Sequence, residues 1–273
     1  MKITAYDPKS IILDGRMDEP IWETAEEYTG FKRLGAAGIP VEKNNTSFKI
    51  LPFEDRIIVG VKCMDDDMDG VTKLADGTFD NVNAVEVFFS LSGNPYDFYQ
   101  FFVSINGSCE ARYWEEFGKI KPDPYAPVWN TAVYKDENYW SVEMELPFTA
   151  FYMTPQMRWS DKWLVNVART RISRFHEKAY STWSTLNRGF ICPECYTPME
   201  GFPLRDARND LYISSVLADI TEHTDGVYRG VMKVLARVAE AGVYTFTSDH
   251  SDPVTVSLEA GMNEFTAPCY FRS

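Results

Sequence analysis

Residues 81–107, NVNAVEVFFSLSGNPYDFYQFFVSING, decide the fold that the sequence predicts. Hydrophobic residues alternate with other residues in two runs, and a period of two is typical of a β-strand with two different faces. The Gly-Asn-Pro sequence between the runs indicates a turn, so the stretch predicts a β-hairpin. Its odd-numbered residues form a plain hydrophobic face. The even-numbered face combines Glu86 and Gln100 with Phe88 and Phe102, which fits either a ligand surface or a half-solvated sheet.

The composition limits the possible partners of the chain. Among 273 residues, 45% are hydrophobic and 15% aromatic, enough to bury a large core. The net charge of −13 disfavours binding to nucleic acid, whose phosphates would be repelled. No apolar run is long enough to span a membrane. No apolar segment follows Met1, so we expect a cytoplasmic protein, or a secreted one only if a leader has been removed.

Outside the central hairpin, most of the chain consists of short alternating runs joined by turns. Nine or ten strands and one helix, over residues 18–27, predict an all-β fold: an antiparallel β-sandwich of jelly-roll type with a short N-terminal helix. Residues 1–206 would form this sandwich. Residues 207–273 would form a small C-terminal β extension or a second β domain, with a helix as the alternative over residues 231–240.

The order of several motifs resembles that of a known family. LDGRMDEPIW near the N-terminus is followed by AVEVFF, QFFVSING, WSVEMELPF, LVNVARTR and PMEGFPL. This order resembles the family-nine carbohydrate-binding modules and their DOMON-like relatives, over roughly residues 11–204. The resemblance implies a β-sandwich that binds sugar without catalysis and is frequently attached to glycan-active enzymes.

The resemblance also implies which residues would contact the sugar. In sugar-binding members, two tryptophans enclose a sugar ring, and a glutamate and strand polar residues bind its hydroxyls. Glu86 matches the glutamate, and Gln100 stands at the start of the polar strand. This chain departs from the pattern with Phe102 and Ser104 on that strand. It also has Phe79-Asp80 before the glutamate strand and Phe190 and Tyr196 near the last loop, in place of the tryptophans.

The predicted carbohydrate site combines aromatic rings with hydrogen-bonding groups, because sugars present both C–H faces and hydroxyl edges. Its predicted members are Glu86, Gln100, Phe102, Arg112, Trp114, Arg171 and Trp183. An ion pair of Glu86 with Arg112, Arg169 or Arg171 is the structural alternative. Core packing is the alternative for each tryptophan.

A run of aspartates predicts a structural calcium ion. Asp65, Asp67 and Asp69 alternate in DDDMDG, and Asp76 stands at the twelfth position of the loop. Calcium takes several oxygen ligands, and alternate aspartates before a glycine can supply them. A solvated acidic turn is the alternative. We expect no other cofactor.

Two further patterns contain residue types that can carry out chemistry. Glu143 and Glu145 lie two apart on one strand, and sugar hydrolysis uses two carboxylates, so a glycoside hydrolase or its subunit is one alternative. Their alternation with Val142 and Met144 predicts that they face solvent. Five cysteines, an odd number, do not predict a disulfide framework, and free thiols are expected even in the Cys192–Cys195 pair.

Carbohydrate is therefore the partner that the sequence favours. A protein-interaction domain whose sugar site has decayed is the other alternative. Nothing in the sequence specifies the oligomeric state.

Overall fold

The computed structural model describes residues 11–36, 38–53, 55–73, 81–122, 125–153, 159–202, 211–238 and 240–272. The chain divides into two compact units, residues 1–122 with 128–204, and residues 123–127 with 205–273. The named strands pair antiparallel throughout the described residues. The predicted all-β, antiparallel sandwich class is confirmed.

The first unit contains a four-stranded sheet with the order β2-β3-β8-β7. Its strands are β2 (Thr46–Pro52), β3 (Arg56–Met64), β7 (Asn130–Lys135) and β8 (Tyr139–Pro147). The face that carries Val61 and Val142 is buried, since these residues are paired in register and have no exposed surface.

The larger sheet of this unit has seven strands, in the order β1-β10-β9-β4-β5-β6, with β11 also paired to β9. Its strands are β1 (Lys32–Arg33), β4 (Ala84–Ser90), β5 (Phe98–Ser104), β6 (Cys109–Trp114), β9 (Lys162–Ile172), β10 (Lys178–Thr182) and β11 (Thr197–Glu200). Trp183, which follows β10, packs edge-on against Phe48 of β2 at a centroid distance of 5.0 Å. Aromatic contacts of this kind fill the space between the two sheets.

The predicted central hairpin is β4 and β5, in which Glu86 pairs with Phe102 and Phe88 with Gln100. Every residue of both strands is buried, on both faces. The half-solvated alternative is therefore wrong. The even-numbered face is covered by Leu186 and Tyr196, which pack on Phe88 in a second, smaller hydrophobic cluster.

The N-terminal helix is a 3-10 helix, Pro20–Thr24, and is shorter than the predicted 18–27. Proline at its start fits the helical φ angle, and Trp22 anchors it in a cluster with Leu51 and Ile58. An unpredicted α-helix, α1 (Met68–Lys73), follows the aspartate run. The Asp67 carboxylate accepts the Gly70 N–H at 3.1 Å, which is the bond of a helix N-cap.

The second unit consists of two small antiparallel sheets. Three long strands, β12 (Leu211–Thr224), β13 (Val227–Val238) and β16 (Gly261–Arg272), form one sheet, and β14 (Gly242–Ser248) and β15 (Ser251–Leu258) form a hairpin. Residues 227–238 are thus strand rather than helix. Met232, Val234 and Phe246 belong to the buried cluster of this unit.

Candidate functional site

Three polar side chains form a hydrogen-bonded row across β4, β5 and β6. Trp114 Nε1 donates to Gln100 Oε1 at 2.8 Å, and Gln100 Nε2 donates to Glu86 Oε2 at 2.6 Å. Glu86 is 6% exposed and Gln100 3%, whereas Trp114 is half-buried. We call Glu86, Gln100 and Trp114 the polar row. Its two hydrogen bonds fix the orientations of the three side chains.

Aromatic rings surround the polar row on the same face of the sheet. Phe98 stacks on Trp114 with ring centroids 6.2 Å apart, and Tyr196 contacts both Phe88 and Phe98. The Tyr196 hydroxyl donates to the Phe190 carbonyl at 2.9 Å. Burial is the main cause that raises the pKa of Tyr196 well above its usual value, and the negative charge of Glu86 raises it further. Tyr196 is therefore a neutral hydrogen-bond donor beside Glu86.

Arg112 and Phe102 complete this face. Arg112 lies in register with Gln100 on β6, and its guanidinium donates to both oxygens of Glu110 at 2.5 and 3.1 Å. The Arg112 side chain remains partly exposed, while Phe102 is buried beside Glu86. The face thus combines a carboxylate, an amide, a guanidinium and aromatic rings, the groups that hydroxyl-rich ligands use.

The structure separates Arg171 and Trp183 from the other predicted site residues. Val85 pairs with Arg169 in register, so Arg169 and Arg171 project from the face opposite to Glu86. Trp183 lies against Phe48 and, at 5.4 Å, against Tyr28. Five of the seven predicted residues therefore share one face: Glu86, Gln100, Phe102, Arg112 and Trp114.

A buried salt-bridge cluster occupies the end of β3 and β9. The Asp65 carboxylate accepts from Arg169 Nη2 at 2.7 Å and from Arg171 Nε and Nη2 at 2.8 Å each. Arg169 Nη1 also donates to the carbonyls of Met64 and Asn44 at 2.9 and 2.8 Å. This cluster was not predicted, although the sequence has an aspartate directly after one strand and Arg-x-Arg in another.

Two of the described aspartates of the predicted calcium loop, Asp65 and Asp67, are bound to arginines instead. The Asp65 carboxylate accepts hydrogen bonds from the guanidinium groups of Arg169 and Arg171. The Asp67 carboxylate accepts one from Arg174 Nε at 2.7 Å. The Arg174 hydrogen bond lowers the pKa of Asp67 to about 2. Asp69 is exposed, and no group of metal-binding side chains lies together in the described residues. These residues fit calcium poorly; Asp76 lies outside the described residues, and the site stays a prediction.

The prediction that Glu143 and Glu145 face solvent is wrong for Glu143, which is fully buried. Glu143 accepts from Trp22 Nε1 at 2.9 Å and from the Gly15 N–H at 2.8 Å. It is buried because the N-terminal segment packs over this face of β8. Burial raises the pKa of Glu143. Glu145 binds Arg56 and Asn130.

The cysteines are free thiols, as predicted. Cys192 and Cys195 lie at either end of a single turn, with their sulfur atoms 3.1 Å apart. Burial and, next, the hydrogen bond with Cys195 raise the pKa of Cys192 to about 12. Cys192 is therefore protonated at neutral pH.

Comparison with known proteins identifies relatives of the fold only. No family model matches the chain, and no curated protein matches its sequence. Two solved structures of a family 9 carbohydrate-binding module from Caldicellulosiruptor kristjanssonii match, one in complex with cellotriose and one with glucose. Each has a TM-score of 0.53 and 14% identity, and covers 76% of this chain and 96% of its own. The chain shares the β-sandwich fold of that module.

No helix in the described part of the chain is long and apolar enough to cross a membrane.

Proposed function

We propose that the chain binds carbohydrate without catalysis, on the face of the large sheet that carries the polar row. The observation that carries the proposal is the bonded series Trp114–Gln100–Glu86 set among aromatic rings. The solved modules that share the fold bind cellotriose and glucose, which supports the same ligand class here.

Each group on this face has a role in the proposed binding. The Glu86 carboxylate accepts hydrogen bonds from sugar hydroxyls, and the Arg112 guanidinium donates to ring or hydroxyl oxygens. Trp114 and Phe190 are half-buried and offer the exposed part of their rings to the C–H face of a sugar. Gln100 acts through Glu86 and Trp114, since it holds both in place.

A binding titration of the wild-type chain with glucose and cellotriose, followed by tryptophan fluorescence and calorimetry, tests the proposal. Glu86→Gln is expected to weaken binding by about tenfold, because the charged acceptor is lost. Glu145→Gln makes the same change on the other sheet, where Glu145 binds Arg56. It is expected to leave binding unchanged.

A correctly folded wild-type chain that binds neither sugar nor any longer glycan would contradict the proposal. Equal weakening by Glu86→Gln and Glu145→Gln would contradict the placement of the site.

A further inference from the structure

A cavity of about 520 Å³ in the first unit has five basic residues among the twelve that line it. Arg33, Lys43, Arg169, Arg171 and Lys178 line it, and Glu42 is the acidic residue among its lining residues. This is a local reversal of charge in a chain whose net charge is −13. The volume is within the range of small-molecule sites.

The deepest charges in the cavity are only half compensated. Arg169 and Arg171 share the single buried carboxylate of Asp65. Asp66 approaches Arg171 at 3.3 Å but is largely exposed, so water and salt screen its charge. Positive charge that is partly buried and uncompensated costs free energy, and an anion in the cavity would offset that cost.

The two arginines are also held in place before a ligand binds. Both oxygens of Asp65 fix the Arg171 guanidinium, and two backbone carbonyls fix Arg169. The buried Arg169 Nε has no hydrogen-bond partner among the described residues. Donors that are already ordered bind an oxyanion at a low cost in conformational entropy.

We propose that this cavity binds a small organic molecule through its carboxylate group. The Arg171 side chain, bound to Asp65 through Nε and Nη2, is 18% exposed and adds its positive charge to the cavity, as do the rim cations Arg33 and Lys43. This site is independent of the polar row, since Arg169 and Arg171 project from the opposite face of the sheet.

Calorimetry of the full chain at low salt tests the site with glucuronate, inorganic phosphate and glucose. We expect saturable binding of glucuronate that weakens with added salt. The double variant Arg33→Gln/Lys43→Gln is expected to weaken this binding by about tenfold or more. The control Lys119→Gln/Lys121→Gln removes the same charge from exposed positions outside the cavity lining and is expected to change it less than about twofold.

The rim variants decide the test, because Arg171→Gln also removes a structural partner of Asp65. Absence of saturable glucuronate binding, or equal weakening by the two double variants, would overturn the proposal. Binding of phosphate without glucuronate would overturn the carboxylate and assign a phosphate group as the ligand.

Discussion

Three of the buried carboxylates in the first unit are compensated in different ways. Asp65 pairs with two arginines, Glu86 accepts a side-chain amide, and Glu143 accepts one indole and two backbone N–H groups. Burying a carboxylate costs free energy of folding unless such partners are present. Each of these three carboxylates therefore requires the particular partners that surround it. Glu86 shares its face of the sheet with aromatic rings and with the partly exposed Arg112, which is why it is the ligand candidate.

The raised pKa of Glu143 predicts a pH dependence of stability. The unfolded chain ionises Glu143 near its ordinary value of 4.5, while the folded chain ionises it at higher pH. The contribution of this group is therefore fully present below pH 4.5 and is lost as pH rises through the raised pKa, by about 1.4 kcal/mol per pH unit in that window.

The comparison with Glu143→Gln isolates this effect, because glutamine does not titrate. Urea unfolding at several pH values should show that the wild-type stability, relative to the variant, declines from pH 4.5 upward. A constant difference across the pH range would show that Glu143 is not the titrating group.

At the level of elements, alternation in the sequence predicted the hairpin β4–β5 and the neighbouring strands correctly. Period two identifies strands but does not tell which faces are covered by distant segments, so the burial of both hairpin faces by Leu186 and Tyr196 was missed. For the same reason Glu143 was expected in solvent. The five site residues on β4, β5 and β6 lie together because the pairing of these strands follows from the hairpin. Arg171 belongs to β9, and the register of β9 with β4 places it on the face opposite to Glu86. A shift of that register by one residue would have placed it on the same face.

A glycine in β3 supports the packing of the N-terminal segment. A Cβ atom at Gly60 would contact Met17 and would lie 2.9 Å from Trp22 Cη2. Gly60→Ala is therefore expected to reduce the free energy of unfolding by about 1–2 kcal/mol through overpacking.

Gly189 provides the matched control, since nothing lies within 4 Å of a Cβ atom there. Chemical denaturation should show little effect of Gly189→Ala. An equally small effect of Gly60→Ala would mean that the segment over β3 and β8 packs more loosely than described.

On the scale of the whole molecule, the chain forms two compact units, each with its own buried core. The first unit carries both proposed sites. The strands of the second unit were predicted from their alternation. That these strands form a buried cluster of their own depends on which side chains pack together, and the composition does not specify this.

Separate cores predict two unfolding transitions. Leu146→Ala should destabilise the first unit, and Met232→Ala the second, by about 2–5 kcal/mol each, since both side chains are buried. Differential scanning calorimetry should show that each substitution lowers one transition. A single transition that both variants shift equally would contradict independent units.

The contact of the N-terminal segment with Glu143 has a consequence for synthesis on the ribosome. Gly15 and its acceptor Glu143 are 128 residues apart, so this segment emerges long before β8 exists. Domains fold during translation from the N-terminus, and contacts of long sequence separation form late because closing so large a loop costs entropy. The indole of Trp22 therefore stays without its carboxylate partner until 121 further residues have been made.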